Sequence, residues 1–172
     1  MRVGAHPGFP DRESLGRAPF VIDDEQGRVH LLTSLTRQVS LAQWDYVKPH
    51  GALYHALTRP GPATVPLVAV LLHLQLPLMG LPGTHHEQIA YSADVPFIRE
   101  GFADRAYTPQ GTLVPRSEPG AVLSDMRQIE EQSLVLAGRV DSICIHGDSP
   151  GCVEIAERVR SALERSGYGV GR

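Results

Sequence analysis

Asp45-Tyr46-Val47-Lys48-Pro49-His50-Gly51-Ala52-Leu53-Tyr54-His55-Ala56-Leu57 passes from a short apolar run, through a polar corner, into a helical pattern. Tyr46 and Val47 are strand formers. Pro49 fixes its own φ and holds Lys48 extended. Gly51 permits a turn or a close backbone approach. A short helix is expected from Ala52 to Leu57, ended by Pro60. In an extended segment residues two apart point the same way, so Lys48 and His50 can face one site at the end of a strand. Lys48 is also the single lysine of the chain, set against fifteen arginines. Lysine is a compact point charge whose pKa moves readily on burial, which suits handling an anion or a proton. A lysine left in a turn as ordinary solvated surface fits the same five residues.

Working outward, the strand–corner–helix unit recurs. Arg2 to Ala5 reads as a short first strand. Asp23 to about Leu41 reads as a helix, with Asp23 and Gln26 as a capping box and Val29, Leu32, Leu35, Thr36 and Val39 on one face. Thr64 to His73 is helical, with Pro66 tolerated in its first turn. Leu76 to Leu81 is a strand whose pairing Pro77 restricts. Thr84-His85-His86-Glu87 is a capping box opening a helix to about Ala93, with both histidines solvated. Phe97 to Glu100 is a strand. Asp125 caps a helix that Gly138 stops, Ser142 to Ile145 is a buried strand, and Ser149-Pro150 opens a last helix to about Ser166. Residues 101–120 form the longest stretch without an element, a length that in a compact domain marks function or disorder. Five βα repeats predict an α/β fold, a parallel sheet or barrel with helices outside.

The totals narrow the class. A chain of 172 residues, 42% apolar and 20% charged, fits one globular domain with a substantial core. A net charge of −3 and the lack of a basic block argue against nucleic acid as a partner. No apolar run reaches the ~18 residues of a membrane helix, and the N-terminus lacks the apolar stretch of a signal peptide. Cys144 and Cys152 are too few for a disulfide scaffold or a zinc knuckle. A cytoplasmic protein, with Cys144 as a buried small hydrophobe, is the expectation.

Polar residues collect after the strands. His6, Pro7, Gly8 and Asp11 follow the first, and Lys48, His50 and Gly51 the second. Glu100, Asp104, Arg105 and Tyr107 follow the fourth, and His146, Gly147 and Asp148 the fifth. Sites in α/β folds are built from loops at the carboxyl ends of strands, so four such clusters point to one convergent site. Each has a plainer reading. His6 before Pro7 fits a turn, Asp148 fits a cap on the last helix, and Arg105 fits a surface ion pair with Asp104. His30, His55 and His73 lack clustered partners and read as structural. His6, His50 and His146 with Asp11 or Asp148 have the donor chemistry of a zinc site, but no helical HxxH or HxxxH spacing supports one, so no tightly bound metal is expected.

Five segments stand in order: Gly4-Ala5-His6-Pro7-Gly8-Phe9-Pro10-Asp11, Val47-Lys48-Pro49-His50-Gly51-Ala52-Leu53-Tyr54, Phe102-Ala103-Asp104-Arg105-Ala106-Tyr107, Gly111-Thr112-Leu113-Val114-Pro115-Arg116 and Ile145-His146-Gly147-Asp148. Together they resemble the LamB/YcsF family of 5-oxoprolinase A subunits over nearly the whole chain. The resemblance implies a divergent or incomplete β/α barrel, similar to the glycoside hydrolase/deacetylase barrels. It implies ATP-dependent opening of 5-oxo-L-proline (pyroglutamate) to L-glutamate, with Mg on the ATP and with B and C subunits as partners. On that footing Lys48, His50, His146, Asp148 and His6 are the expected catalytic residues. Arg105, Asp104, Asp11, Gly51 and Tyr107 are the expected substrate-binding ones. Lys48 and Arg105 suit an anionic intermediate, and His50 or His146 suits proton transfer near neutral pH. Arg105 also suits a bidentate grip on a carboxylate, and Asp148 or Asp11 suits orienting a histidine or activating water.

The chain departs from the family at its start. Members carry further βα units there, with an Asn-Cys-Asp and a Gly-x-His motif, so residues 1–172 are expected to form a single barrel-like domain lacking the first units. Closed β/α barrels use about eight strands, and an open edge implies pairing with a partner or a homo-oligomer. Two alternatives stay open: a metal-dependent hydrolase or deacetylase of a small amide or sugar, and a truncated, non-catalytic homologue that binds a small carboxylate.

Overall fold

The strands are short and the helices do most of the packing. The structure, a computed structural model, describes residues 2–171. It divides into two compact units, one ending at Ile98 and one beginning at Arg99.

In the first unit β1 (Gly4–Ala5), β2 (Tyr46–Val47) and β3 (Leu78–Gly80) are parallel, with Gly4 opposite Tyr46, Ala5 opposite Val47 and Val47 opposite Leu78. A Cβ on Gly4 would overlap the Tyr46 ring, so a larger residue there has to displace that side chain. The helices are α1 (Glu25–Val39), α2 (Gly51–Ala56), α3 (Thr64–Leu74) and α4 (His85–Ser92). Leu31, Leu35 and Val39 of α1 meet Leu67, Val70 and Leu71 of α3, Val47 and Leu78 of the strands, and Ile89 of α4 in one buried cluster. Each such side chain stabilises by roughly 1.5–3 kcal/mol on leaving water.

Two local expectations shift here. Asp24, not Asp23, caps α1: its extended backbone turns its carboxylate toward the Gly27 amide at 2.8 Å. The inward stripe accordingly runs through Leu31, Leu35 and Val39, and Val29 is left exposed. In α4 Thr84 caps as expected, but Glu87 accepts from the Gly83 amide rather than from that of Thr84.

β4 (Phe97–Phe102) begins in the first unit and, through its residues in the second, pairs in parallel with β5 (Ser142–Cys144), Gly101 lying opposite Ile143. α5 (Met126–Ala137), capped by Asp125 as expected, packs with α6 (Cys152–Arg165) around Ala103, Ile129, Ile155, Val159 and Leu163. β5 is half-exposed along its length rather than buried, so Cys144 is not a fully buried hydrophobe. α6 begins behind Gly151, at φ +73° and without a side-chain cap, so neither Asp148 nor Ser149 caps it. The stretch 101–120 is not structureless. Antiparallel bridges join Arg105 to Val122 and Tyr107 to Leu113. Strands parallel to their neighbours and alternating with helices make the α/β class expected from the βα repeats. Among the described residues no helix is long and apolar enough to cross a membrane.

Candidate functional site

Two polar clusters sit where strands end, one in each unit. In the first, the Lys48 amide bonds the Ala5 carbonyl at 2.9 Å and the His50 amide bonds that of Pro7 at 2.8 Å, continuing the β1–β2 ladder into the corner. Gly51 follows at φ +53°, where a Cβ would lie 2.6 Å from the Gly16 carbonyl oxygen. That carbonyl accepts from the Ala52 amide at 3.0 Å. Gly51 is therefore the close backbone approach its type suggested, made to the loop before α1.

That loop is shaped by Asp11. Its carboxylate accepts from the amides of Glu13 and Ser14 and from the Ser14 hydroxyl. Asp11 thus folds the turn that carries Leu15 and Gly16 to the corner. Gln38, reaching in from α1, holds Gly8 on both sides, accepting from its amide and donating to its carbonyl at 2.9 Å each. His6 and His50 meet edge to face, with Nε2 of His6 3.0 Å from Nδ1 of His50. Their outer nitrogens face the carbonyls of Lys48 and Leu15 at 2.8 and 2.9 Å. Lys48 stands half-buried beside them.

In the second unit Asp104 is fully buried at the end of β4. Both its oxygens lie within 3.0 Å of Nδ1 of His146, and one also accepts from the His146 amide at 3.0 Å. Burial alone would raise the Asp104 carboxyl, yet these bonds and the charge of His146 hold it below its usual 3.8. Nδ1 of His146 therefore carries the proton and donates. Nε2 is left as the basic nitrogen, and the ring is further fixed by stacking on Phe102 at 5.7 Å.

Arg105 is buried, 3% exposed, and is not a surface ion pair with Asp104. Its Nε donates to the Ala121 carbonyl and its Nη2 to that of Val114, so part of its fork pins the 106–121 loop. Burial lowers its pKa below the ordinary guanidinium value. Tyr107 turns its hydroxyl to accept from the Phe102 amide at 2.7 Å, and burial pushes it up to about 12. Asp148 pairs with Arg116 at 3.2 Å on the surface of the same unit. The structure thus joins Asp104 to His146 and His6 to His50. It gives Asp11, Tyr107 and part of Arg105 to the loops. Among the described residues no three His, Cys, Asp or Glu side chains gather closely enough to hold a metal ion.

The LamB/YcsF family model matches residues 1–172. The chain belongs to the LamB/YcsF family. Among curated proteins of that kind, it is 37% identical to the 5-oxoprolinase A subunit of Pyrococcus furiosus, over 99% of this chain and 75% of that one. It is 39% identical to the namesake in Streptomyces avermitilis, with 99% and 76% covered. Among solved structures it is similar to the lactam utilization protein of Thermus thermophilus, at TM-score 0.79 and 31% identity, covering 99% of this chain and 76% of that one. The chain thus shares the fold of that solved structure, with parallel strands alternating with helices.

Other residues of this LamB/YcsF chain carry no motif signal. Gln132 of α5 donates to the carbonyls of Phe102, Ala103 and Arg105 at once, fixing the backbone on both sides of Asp104. Its one signal is a polar residue next to the buried Ser133 stripe of an amphipathic helix. Gln38 does the same for Gly8 from α1. His86, expected in solvent, is fully buried: Nδ1 accepts from the Leu81 amide and Nε2 donates to the Tyr54 carbonyl, both at 3.0 Å. Burial lowers it from 6.5 to about 4, so it is a neutral structural tie.

Proposed function

We propose that this chain works as one component of an ATP-dependent 5-oxoprolinase, opening 5-oxo-L-proline to L-glutamate together with B and C subunits. The observation that carries the proposal is the Asp104–His146 pair, a buried carboxylate holding an imidazole in one tautomer with Nε2 outward. The names of the similar proteins, the A subunits of 5-oxoprolinase and a lactam utilization protein, supply the substrate class.

The chemistry suits these residues. A lactam is a poor electrophile, and ATP, carrying Mg on its phosphates, would activate the carbonyl oxygen by phosphoryl transfer. Lys48, at the end of β2, supplies a point charge for anionic groups. His146 takes a proton from attacking water at Nε2 or returns one to the departing ring nitrogen, a role that contributes about 10²–10⁴-fold. Asp104 stabilises the imidazolium formed on the way. Arg105 holds the loop beside this pair and keeps its remaining donors for a carboxylate.

The test is glutamate release from 5-oxoproline on mixing this chain with purified B and C subunits and ATP, each component being omitted in turn. Release that requires all of them is the expected result. Release with this chain omitted, or none with everything present, rejects the proposal.

A further inference from the structure

The His6–His50 contact fixes more than its distance. The Lys48 carbonyl facing Nδ1 of His6 can only accept, so that nitrogen carries a hydrogen. The Leu15 carbonyl facing Nε2 of His50 demands the same there. A neutral imidazole has one N–H, already used in each ring. The remaining nitrogens, Nε2 of His6 and Nδ1 of His50, would then present lone pairs to each other at 3.0 Å. That separation is a hydrogen-bonding distance and needs a proton in it.

We propose that His6 and His50 share one proton and act as a single cationic positioning unit beside Lys48. The pair carries one positive charge, and all four ring nitrogens are committed to it or to the main chain. It clamps the Lys48 carbonyl on one side and the Leu15 carbonyl on the other. It therefore sets the backbone from which Lys48 projects without itself exchanging protons with substrate. Loss of the shared proton would set two lone pairs against each other and open the corner. The charged side chains on the segments around the pair include Lys48 after β2 and Asp11, Arg12, Glu13 and Arg17 on the loop. Asp11 is turned to Ser14 and the amides of residues 13 and 14, Arg17 lies beside Gly51, and α1 presents the neutral Gln38 to Gly8.

The protonation state stands on geometry alone, whereas its effect on turnover rests on the proposed 5-oxoprolinase reaction. The test is long-range ¹H–¹⁵N correlation of the histidine rings in the intact chain, assigned with His6→Asn and His50→Gln. The expected spectrum at neutral pH shows hydrogen on Nδ1 of His6 and on Nε2 of His50, with one further proton between the facing nitrogens. Two rings titrating independently near the ordinary value of about 6.5 would overturn it, as would a bare Nδ1 on His6. In the reconstituted assembly, wild-type turnover is expected to fall at the pH where the spectrum loses the shared proton. His50→Gln, neutral at every pH and able to donate on one side only, should be at least about tenfold slower and lack that limb. A His50→Gln profile with the wild-type limb would overturn the positioning role. An inactive wild-type assembly with the expected spectrum would instead reject the 5-oxoprolinase reading and leave the shared proton standing.

Discussion

Asp104→Asn exchanges one carboxylate oxygen for an amide nitrogen in the second unit and changes little volume. The wild-type carboxylate accepts from both Nδ1 and the amide of His146, each at about 3.0 Å, inside a site with no exposure of Asp104. A carboxamide offers one acceptor and one NH₂. One His146 donor must then face another donor, or the ring must shift its proton to Nε2. Losing a hydrogen bond to a charged acceptor costs about 1.5–3 kcal/mol. For a chain of this size that corresponds to a melting point lower by roughly 3–12 °C. The sign with pH follows from the depressed Asp104 carboxyl. Its stabilisation is present above the unfolded value of 3.8 and is lost as the pH falls through the lower folded value. Thermal melts of both proteins should therefore differ most near neutrality and converge in acid below 3.8. In the reconstituted assay the variant should lose about 10²-fold or more in turnover, because the tautomer with Nε2 outward is no longer enforced. Identical melting at neutral pH, or a gap that persists unchanged into acid, would refute the Asp104–His146 account.

His86, held neutral by burial with a value of about 4 against 6.5 unfolded, stabilises above 6.5 and loses that contribution as the pH falls from 6.5 to about 4. The fall amounts to about 3 kcal/mol by denaturant titration, and His86→Phe should remove this limb. Gly51→Ala places a Cβ 2.6 Å from the Gly16 carbonyl at a left-handed φ, and should destabilise by about 1–3 kcal/mol in urea titration. Arg105→Lys cannot keep both carbonyl contacts, so limited proteolysis should cut residues 106–121 several-fold faster, with Arg105→Met faster still.

The βα rhythm was readable because each corner announces itself. Pro49 and Gly51 mark the turn after β2, Asp125 and Gly138 bracket α5, and Thr84 starts α4. What escaped depends on partners distant in sequence. Nothing near Asp104 says that its carboxylate meets a histidine forty-two residues on, which removes it from direct contact with a carboxylate ligand and makes it an orienting group. Asp11 stood among the expected substrate-binding residues, but its neighbours at 13 and 14 supply amides at the spacing of an Asp turn, a signal present in the local sequence. His86 seemed solvated because it opens a helix. The small Gly80 beneath it, where a Cβ would lie 2.7 Å from Nδ1, makes the space that buries it. The cap of α1 slipped by one residue because Asp23 and Asp24 are equivalent in type, and only backbone geometry chooses between them.

The most direct measurement is the rate of glutamate formation from 5-oxoproline and ATP by the B and C subunits, with this chain supplied as wild type, His146→Ala or Lys48→Arg, all shown to be folded. The account predicts turnover with the wild type and its loss with each variant. Undiminished turnover with His146→Ala would contradict the placing of the reaction at the Asp104–His146 pair.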